Sequence, residues 1–139
     1  MKRTKPGYPE GVAVKRSSAG LGLFATRPYR RGERIIEYFG RTLTNAEEYS
    51  SRSKYLFEVN SRRTIDGATR TNIARYINHS CHPNCEPEIV RGRIFIDAIR
   101  SIKPGEEFVY DYGEEYFNEH IRPYGCRCAK HHVHKKTPR

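Results

Sequence analysis

The sequence predicts a mainly β fold, a compact sandwich or barrel-like body, and three observations carry that expectation. Short segments rich in β-branched and aromatic residues recur along the 139-residue chain, broken by frequent turn-forming residues. The stretch PEIV-RG-RIFIDAI, from Pro87, reads as a hairpin with Arg91 and Gly92 at its tip and alternating polarity in its second arm. Pro83 and Pro87 exclude a long helix through the polar stretch that follows Ile77.

Taken in order, Val12 to Val14 reads as a short strand, and SSAGLGLFA as a glycine-punctuated turn running into an apolar segment. RRGERIIEYF is a turn and then a strand, and Thr44 to Glu47 fits a capping box, so a short helix is expected to start near residue 45. KYLFEV is a strand and Asp66-Gly67 a tight turn. Asn72 is placed as the cap of a helical turn in which Ile73, Ala74 and Ile77 share a face. KPGEE is another turn, and FVYDY the last strand, with Tyr110 and Tyr112 on one face and Asp111 on the other. There is no internal repeat and no low-complexity linker. The chain divides into a basic extension (1–9), one domain (10–113) and a tail (114–139), whose ends are the places to expect fraying.

Charge is lopsided: 26 Lys+Arg against 16 Asp+Glu give a net +10, a balance that favours polyanions such as nucleic acid, although no nucleic-acid-binding motif accompanies it. Within this basic chain, residues 106–119 carry six acids and no base. Such an island either receives a cationic ligand at an entrance or is a solvated loop that pairs with the basic tails. No apolar run reaches membrane-spanning length and the N-terminus lacks a signal-peptide core. The protein is therefore expected inside the cell, not secreted, with no membrane partner. Asn78-His79-Ser80 as a glycan acceptor is then coincidence, and the four cysteines are left for burial, catalysis or metal.

Cys81 and Cys85 are spaced C-x₃-C, and Cys126 and Cys128 C-x-C with His131, His132 and His134 close behind, a donor set that suits zinc; buried packing is the alternative for the first pair. His79 and Cys81 as base and nucleophile is disfavoured, because such partners usually meet from distant positions. Gly20 and Gly22 let backbone approach a ligand closely, but the spacing lacks a phosphate-loop signature. Tyr110 and Tyr112 either stack on a core or wall a narrow aromatic channel for a cation's alkyl arm.

Taken together and in order, GLGLFATRPYRRGERIIEYFG, YLFEV, TIDGATRTNIARYINHSCHPNCEP and GEEFVYDYG resemble the SET-domain protein-lysine methyltransferases, from about Glu10 to Gly113. The resemblance implies a mainly β SET fold of several small sheets with short helices and a C-terminal pseudoknot, in which the Asn-His-Ser-Cys stretch is threaded under a loop formed by the last strand. It implies S-adenosyl-methionine as donor, bound by the backbone around Gly20, Leu21 and Gly22 and by Asn78 and His79, largely through main-chain groups. Tyr112 corresponds to the catalytic tyrosine, which also borders the donor. Tyr110 corresponds to the position where Tyr or Phe sets how many methyls are added, so mainly monomethyl product is expected. Tyr38 and Tyr55 are further candidates for the lysine channel, with Tyr110. The tail resembles a post-SET segment, implying zinc on Cys81, Cys126 and Cys128; Val133 stands where relatives carry the third tail cysteine, and His132 or His134 is offered instead. Leu21 replaces a commonly basic residue, and Thr71 a usual glycine. The expected partner is a lysine-containing protein that travels with nucleic acid (histone-like, nucleoid or ribosomal), in the nucleus or a bacterial cytoplasm. The competing class is a non-catalytic module of the same fold that binds chromatin or nucleic acid through its basic surface.

Overall fold

The computed structural model describes residues 9–18 and 20–113; the segments 1–8 and 114–139, and with them Cys126, Cys128, His132 and His134, lie outside the described residues. Among the described residues four small sheets of two or three strands pack around one core, as the resemblance implied and in place of the sandwich or barrel that the strand pattern suggested. Strands β1 (Val12–Ser17) and β2 (Gly20–Ala25) form an antiparallel hairpin whose register runs from Val12↔Ala25 to Ser17↔Gly20. Gly20, Leu21 and Gly22 therefore belong to a strand, where the sequence suggested a turn. Pairing starts at Gly20 itself, whose φ of +107° is open to glycine and strained for other residues.

Strands β3 (Arg34–Tyr38), β8 (Cys85–Val90) and β9 (Arg93–Ala98) form an antiparallel sheet with β9 in the middle. The expected hairpin is present: Arg91 (φ 52°) and Gly92 (φ 80°) make a two-residue turn with both central residues at positive φ, matching the strand twist. Strand β9 turns Ile94, Ile96 and Ala98 into the core. Its other face carries Phe95 beneath the guanidinium groups of Arg34 and Arg93, which pair with Asp97 and Glu37. The third sheet is β4 (Arg41–Leu43), β6 (Arg63–Asp66) and β5 (Leu56–Asn60), with β6 central. Helix α1 (Asn45–Ser50) begins where the capping box placed it: Thr44 Oγ1 accepts from the Glu47 N–H at 3.1 Å, and a Glu47 carboxylate oxygen accepts from the Thr44 N–H at 2.8 Å. Since α1 buries no residue, its caps rather than packing define it.

Asn72 corrects an expectation. It precedes a 3₁₀ turn (Ile73–Tyr76) but makes no side-chain cap. Fully buried, its amide ties two segments together: Oδ1 accepts from the Phe39 N–H at 3.2 Å and Nδ2 donates to the Gly67 carbonyl at 3.0 Å. Gly67 is required for a different reason than a tight turn, because a Cβ there would lie 2.5 Å from the Tyr38 ring.

The remaining sheet is the parallel pair β7 (Asn78–His79) and β10 (Val109–Tyr110). The chain from 105 to 110 is bonded on both sides. Toward β2, Gly105 N–H donates to Ala25 O, Ala25 N–H to Glu106 O and Phe108 N–H to Leu23 O, each at 2.8 Å. Toward the other flank, Ser80 N–H donates to Tyr110 O and Asn84 N–H to Val109 O, both at 3.1 Å. This is the threading that the resemblance implied. Strand β10 ends at Tyr110 rather than spanning FVYDY, because the next donors have other acceptors: Tyr112 N–H bonds His79 Nδ1 at 3.1 Å and Gly113 N–H bonds Asp111 Oδ1 at 2.9 Å. Among the described residues no helix is long and apolar enough to cross a membrane.

Removing the Asn72 amide leaves the buried Gly67 carbonyl without its partner, at about 1–3 kcal/mol, and the half-exposed Phe39 N–H without its own at less. Asn72→Ala is therefore expected to lower the unfolding free energy by about 2–4 kcal/mol in urea titration; a loss below about 1 kcal/mol would contradict the stapling role.

Candidate active site

Asn78 joins three segments that are far apart in sequence. Its Nδ2 lies 3.0 Å from Ser17 Oγ, 2.9 Å from Leu21 O and 2.8 Å from Glu107 Oε2. Two amide protons serve three acceptors, so one bond is shared. Gly22 makes the arrangement possible, since a Cβ there would run into the Glu107 carboxylate. Beside it, no described residue comes within 4 Å of where a side chain on Gly20 would begin, and Leu21 is half-exposed. The structure thus brings Leu21 and Gly22 onto Asn78, with Gly20 opening the same strand. Glu107 and Ser17 join them unannounced by the sequence reading, which had Glu107 only as part of an acidic run.

The second group lies one residue along. Tyr112 is held twice: its hydroxyl donates to the Ile77 carbonyl, and its N–H donates to His79 Nδ1. Its ring centroid is 5.1 Å from Tyr110 and 5.4 Å from the His79 ring. Tyr110 is buried and Tyr112 packs on the core. Because Nδ1 accepts, a neutral His79 carries its proton on Nε2. That nitrogen lies 3.5 Å from Cys81 Sγ, an approach that the sequence reading did not anticipate. The chain turns after His79, with Ser80 Oγ accepting from the His82 N–H at 2.9 Å, which folds Cys81 back toward the ring. With its proton at Nε2, His79 has no lone pair there to take a thiol proton, so the pair does not work as base and nucleophile.

Tyr38 and Tyr55 form a further cluster. Tyr38 is buried, its hydroxyl donating to the Tyr55 carbonyl at 2.7 Å and its ring 5.4 Å from Phe57. The Arg75 guanidinium lies 5.4 Å from the Tyr55 ring and 4.8 Å from that of Tyr76, and donates to the Tyr76 hydroxyl at 2.8 Å and the Ala68 carbonyl at 2.9 Å. Phe57, Arg75 and Tyr76 lie in the motif stretches YLFEV and IARYINHSC but were given no role of their own from the sequence.

The acidic run divides. Burial works against the charge of Glu106, but the Lys103 N–H (2.7 Å) and the Arg100 guanidinium (3.1 Å) outweigh it and hold the carboxyl below its ordinary range. Glu106 and Glu107 are therefore engaged within the domain instead of standing at an entrance. Glu114, Glu115 and Glu119 lie outside the described residues. Cys85 is fully buried, as packing requires: burial pushes its thiol up to about 12, against a smaller opposing effect of its bond to the Val109 carbonyl at 3.3 Å. Cys81 is half-buried, and its expected co-ligands fall outside the described residues. No group of three or more metal-ligating side chains forms among the described residues.

Comparison with known proteins places this geometry among relatives. The family model described as "SET domain" matches residues 20–113. The chain is 40% identical to the histone-lysine N-methyltransferase trithorax of Drosophila virilis, over 91% of this chain but 4% of that protein. It is 37% identical to a histone-lysine N-methyltransferase, H3 lysine-4 specific, of Kluyveromyces lactis, over 92% of this chain and 14% of that one. It therefore spans only a small part of the length of these relatives. Among solved structures, it is similar to a humanized mutant of the Chaetomium thermophilum Polycomb Repressive Complex 2 bound to an inhibitor, with a TM-score of 0.68, 34% identity, and coverage of 78% of this chain and 15% of that one.

Proposed function

The chain belongs to the SET-domain family, and from that premise we propose that it is an S-adenosyl-methionine-dependent protein-lysine N-methyltransferase. The observation that carries the proposal is the coupling of two groups across one short parallel pair. Asn78 on β7 organises the glycine strand, while β10, paired with β7, delivers Tyr110 and Tyr112.

The residues fit the donor. Gly20 presents a backbone that no other described residue crowds, and the Glu107 carboxylate beside Gly22 complements a cationic ligand. The side chains of Asn78 and His79 are already engaged in holding Leu21 and Tyr112, which leaves donor binding to their main chain and to the backbone of Gly20, Leu21 and Gly22. When bound, the donor supplies a methyl group carried on a sulfonium. The protein's part is orientation and exclusion of water, since displacement at a methyl needs little acid–base machinery. Tyr112, fixed at its hydroxyl and its N–H, presents a ring of defined position. Beside it, Tyr110 completes an aromatic wall that accepts the lysine's alkyl arm. Free lysine has a pKa of about 10.4 and must lose a proton to attack; transfer into an aromatic channel disfavours the ammonium form. Tyr38 and Tyr55, with Phe57, are proposed to border the outer part of that channel.

The substrate is proposed to be a lysine of a histone-like, nucleoid or ribosomal protein, met where such proteins carry nucleic acid. The reading also includes a zinc ion on Cys81, Cys126 and Cys128 with His132 or His134. The half-buried Cys81 thiol and the C-x-C spacing of the tail support it.

Calorimetric titration of S-adenosyl-methionine into the protein is expected to saturate near one equivalent. Asn78→Ala is expected to weaken that binding about tenfold or more while the protein stays folded, because the amide that gathers Ser17, Leu21 and Glu107 is gone. Folded protein that binds no donor would turn the reading to the non-catalytic basic module. A phenol at Tyr110 restrains the nitrogen after one transfer, so mass spectrometry of a histone peptide should find mainly monomethyl-lysine, with higher states from Tyr110→Phe; abundant trimethyl-lysine from the unmodified protein contradicts this. Metal analysis of untagged protein is expected to find about one zinc per chain, and less than about a tenth would reject a stable site.

A further inference from the structure

Two tight turns from different sheets meet at one corner. Asn60↔Arg63 is the last pair of the β5–β6 hairpin, leaving Ser61 and Arg62 as its turn, and Asn60 Oδ1 accepts from the Arg62 N–H at 2.8 Å. Val90↔Arg93 is the last pair of the β8–β9 hairpin, leaving Arg91 and Gly92 as its turn. The turns abut: Arg63 Nη1 donates to the Gly92 carbonyl at 3.5 Å, and a Cβ on Gly92 would lie 2.5 Å from that nitrogen. Arg62, Arg63 and Arg91 are exposed. None of the three is in an ion pair among the described residues, whereas Arg93 is paired with Glu37 at 2.7 Å. Next to the corner runs an open trough of about 520 Å³, lined by Thr42, Thr44, Asn60, Ser61, Arg62 and Arg63, with Leu43 at its floor. No carboxylate is among its described lining residues.

We infer that this corner is a docking surface for the phosphate backbone of duplex nucleic acid. Guanidinium, hydroxyl and amide groups are the side chains that phosphate oxygens take in protein–DNA contacts. No aromatic side chain is among the trough's described lining residues, and its one large apolar side chain, Leu43, is buried; protein–protein interfaces concentrate their energy on exposed anchors of these kinds, which favours a phosphate backbone over an acidic polypeptide. Resting on the methyltransferase reading, there is a further reason: a chain of net charge +10 and a basic substrate repel each other. A polyanion held by both brings them together, so the substrate is met while it is on nucleic acid.

Fluorescence anisotropy with a short labelled duplex DNA tests the surface without donor or substrate. The triple variant Arg62→Glu, Arg63→Glu, Arg91→Glu is expected to bind about tenfold or more weakly, and to lower the slope of log K against log salt by about 2–3. The comparison is Arg30→Glu, Arg31→Glu, Lys103→Glu, with the same change in charge. The turn at residues 30–32 bonds the Ala98 end of β9, about 17 Å along the strand from the corner, and its variant is expected to lose about threefold or less. Equal losses in the two variants, or none in the first, would overturn the inference. So would competition by polyglutamate as effective as DNA at equal charge, which would reassign the corner to an acidic polypeptide. Donor titration of the corner variant separates this inference from the one it rests on: lost DNA binding with intact donor binding is the expected result, while absent donor binding in the unmodified protein sinks the methyltransferase reading and leaves the DNA result standing.

Discussion

Everything near the candidate site depends on residues 105–110 being bonded along both edges. On one side they continue the β1–β2 hairpin through Leu23 and Ala25, and on the other they run parallel to β7 and accept from Ser80 and Asn84. Asn84 makes the second side tight. Fully buried, it donates from Nδ2 to the Glu107 carbonyl at 2.8 Å and accepts at Oδ1 from the Val109 N–H at 2.9 Å, so its amide acts as an extra unit of strand. Phe108, with no exposed surface, plugs the core between these edges and meets Tyr29 edge-on at 5.4 Å. A segment pinned in this way cannot slide without breaking buried bonds on both flanks. The positions of Glu107, Tyr110 and Tyr112 follow from that.

The site itself is built by side chains that act as scaffold. Asn78 holds the glycine strand, and His79 holds the Tyr112 backbone with a nitrogen that a catalytic base would need for itself. In the proposed reading, what is left to face ligands is main chain, aromatic surface and the Glu107 carboxylate. That inventory suits a reaction limited by alignment and desolvation more than by proton transfer, and it explains why histidine and cysteine can crowd this stretch without forming a nucleophile.

Charge is sorted by the same architecture. Two carboxylates of the acidic run are engaged within the domain, Glu106 by Arg100 at the surface and Glu107 by Asn78. Arginines at hairpin tips are turned outward, because a two-residue turn places its residues at the extreme of the sheet. Arg62, Arg63 and Arg91 gather at one corner because two hairpins from different sheets end together there.

Local chemistry was legible in the chain. The capping box at Thr44 and Glu47, the turn at Arg91-Gly92 and the alternation through Ile94, Phe95 and Ile96 each depend on residues a few positions apart, and each was found where the pattern put it. The motif stretches at Asn78-His79 and Tyr110 to Tyr112 were legible too, as a resemblance. Asn72 read as a helix cap because its neighbours in sequence allow nothing more; its actual partners, Phe39 and Gly67, are chosen by packing. Glu107 read as a surface acid because Asn78 and Gly22 reach it only after the chain has threaded. Strand β10 came out shorter than FVYDY suggests because His79, 33 residues earlier, takes the Tyr112 N–H. The sequence by itself determined which segments pair locally and which residue types carry the chemistry. Tertiary structure alone decided which buried polar group meets which, because a hydrogen bond across dozens of residues is selected by the whole packing and leaves no local signal in the chain.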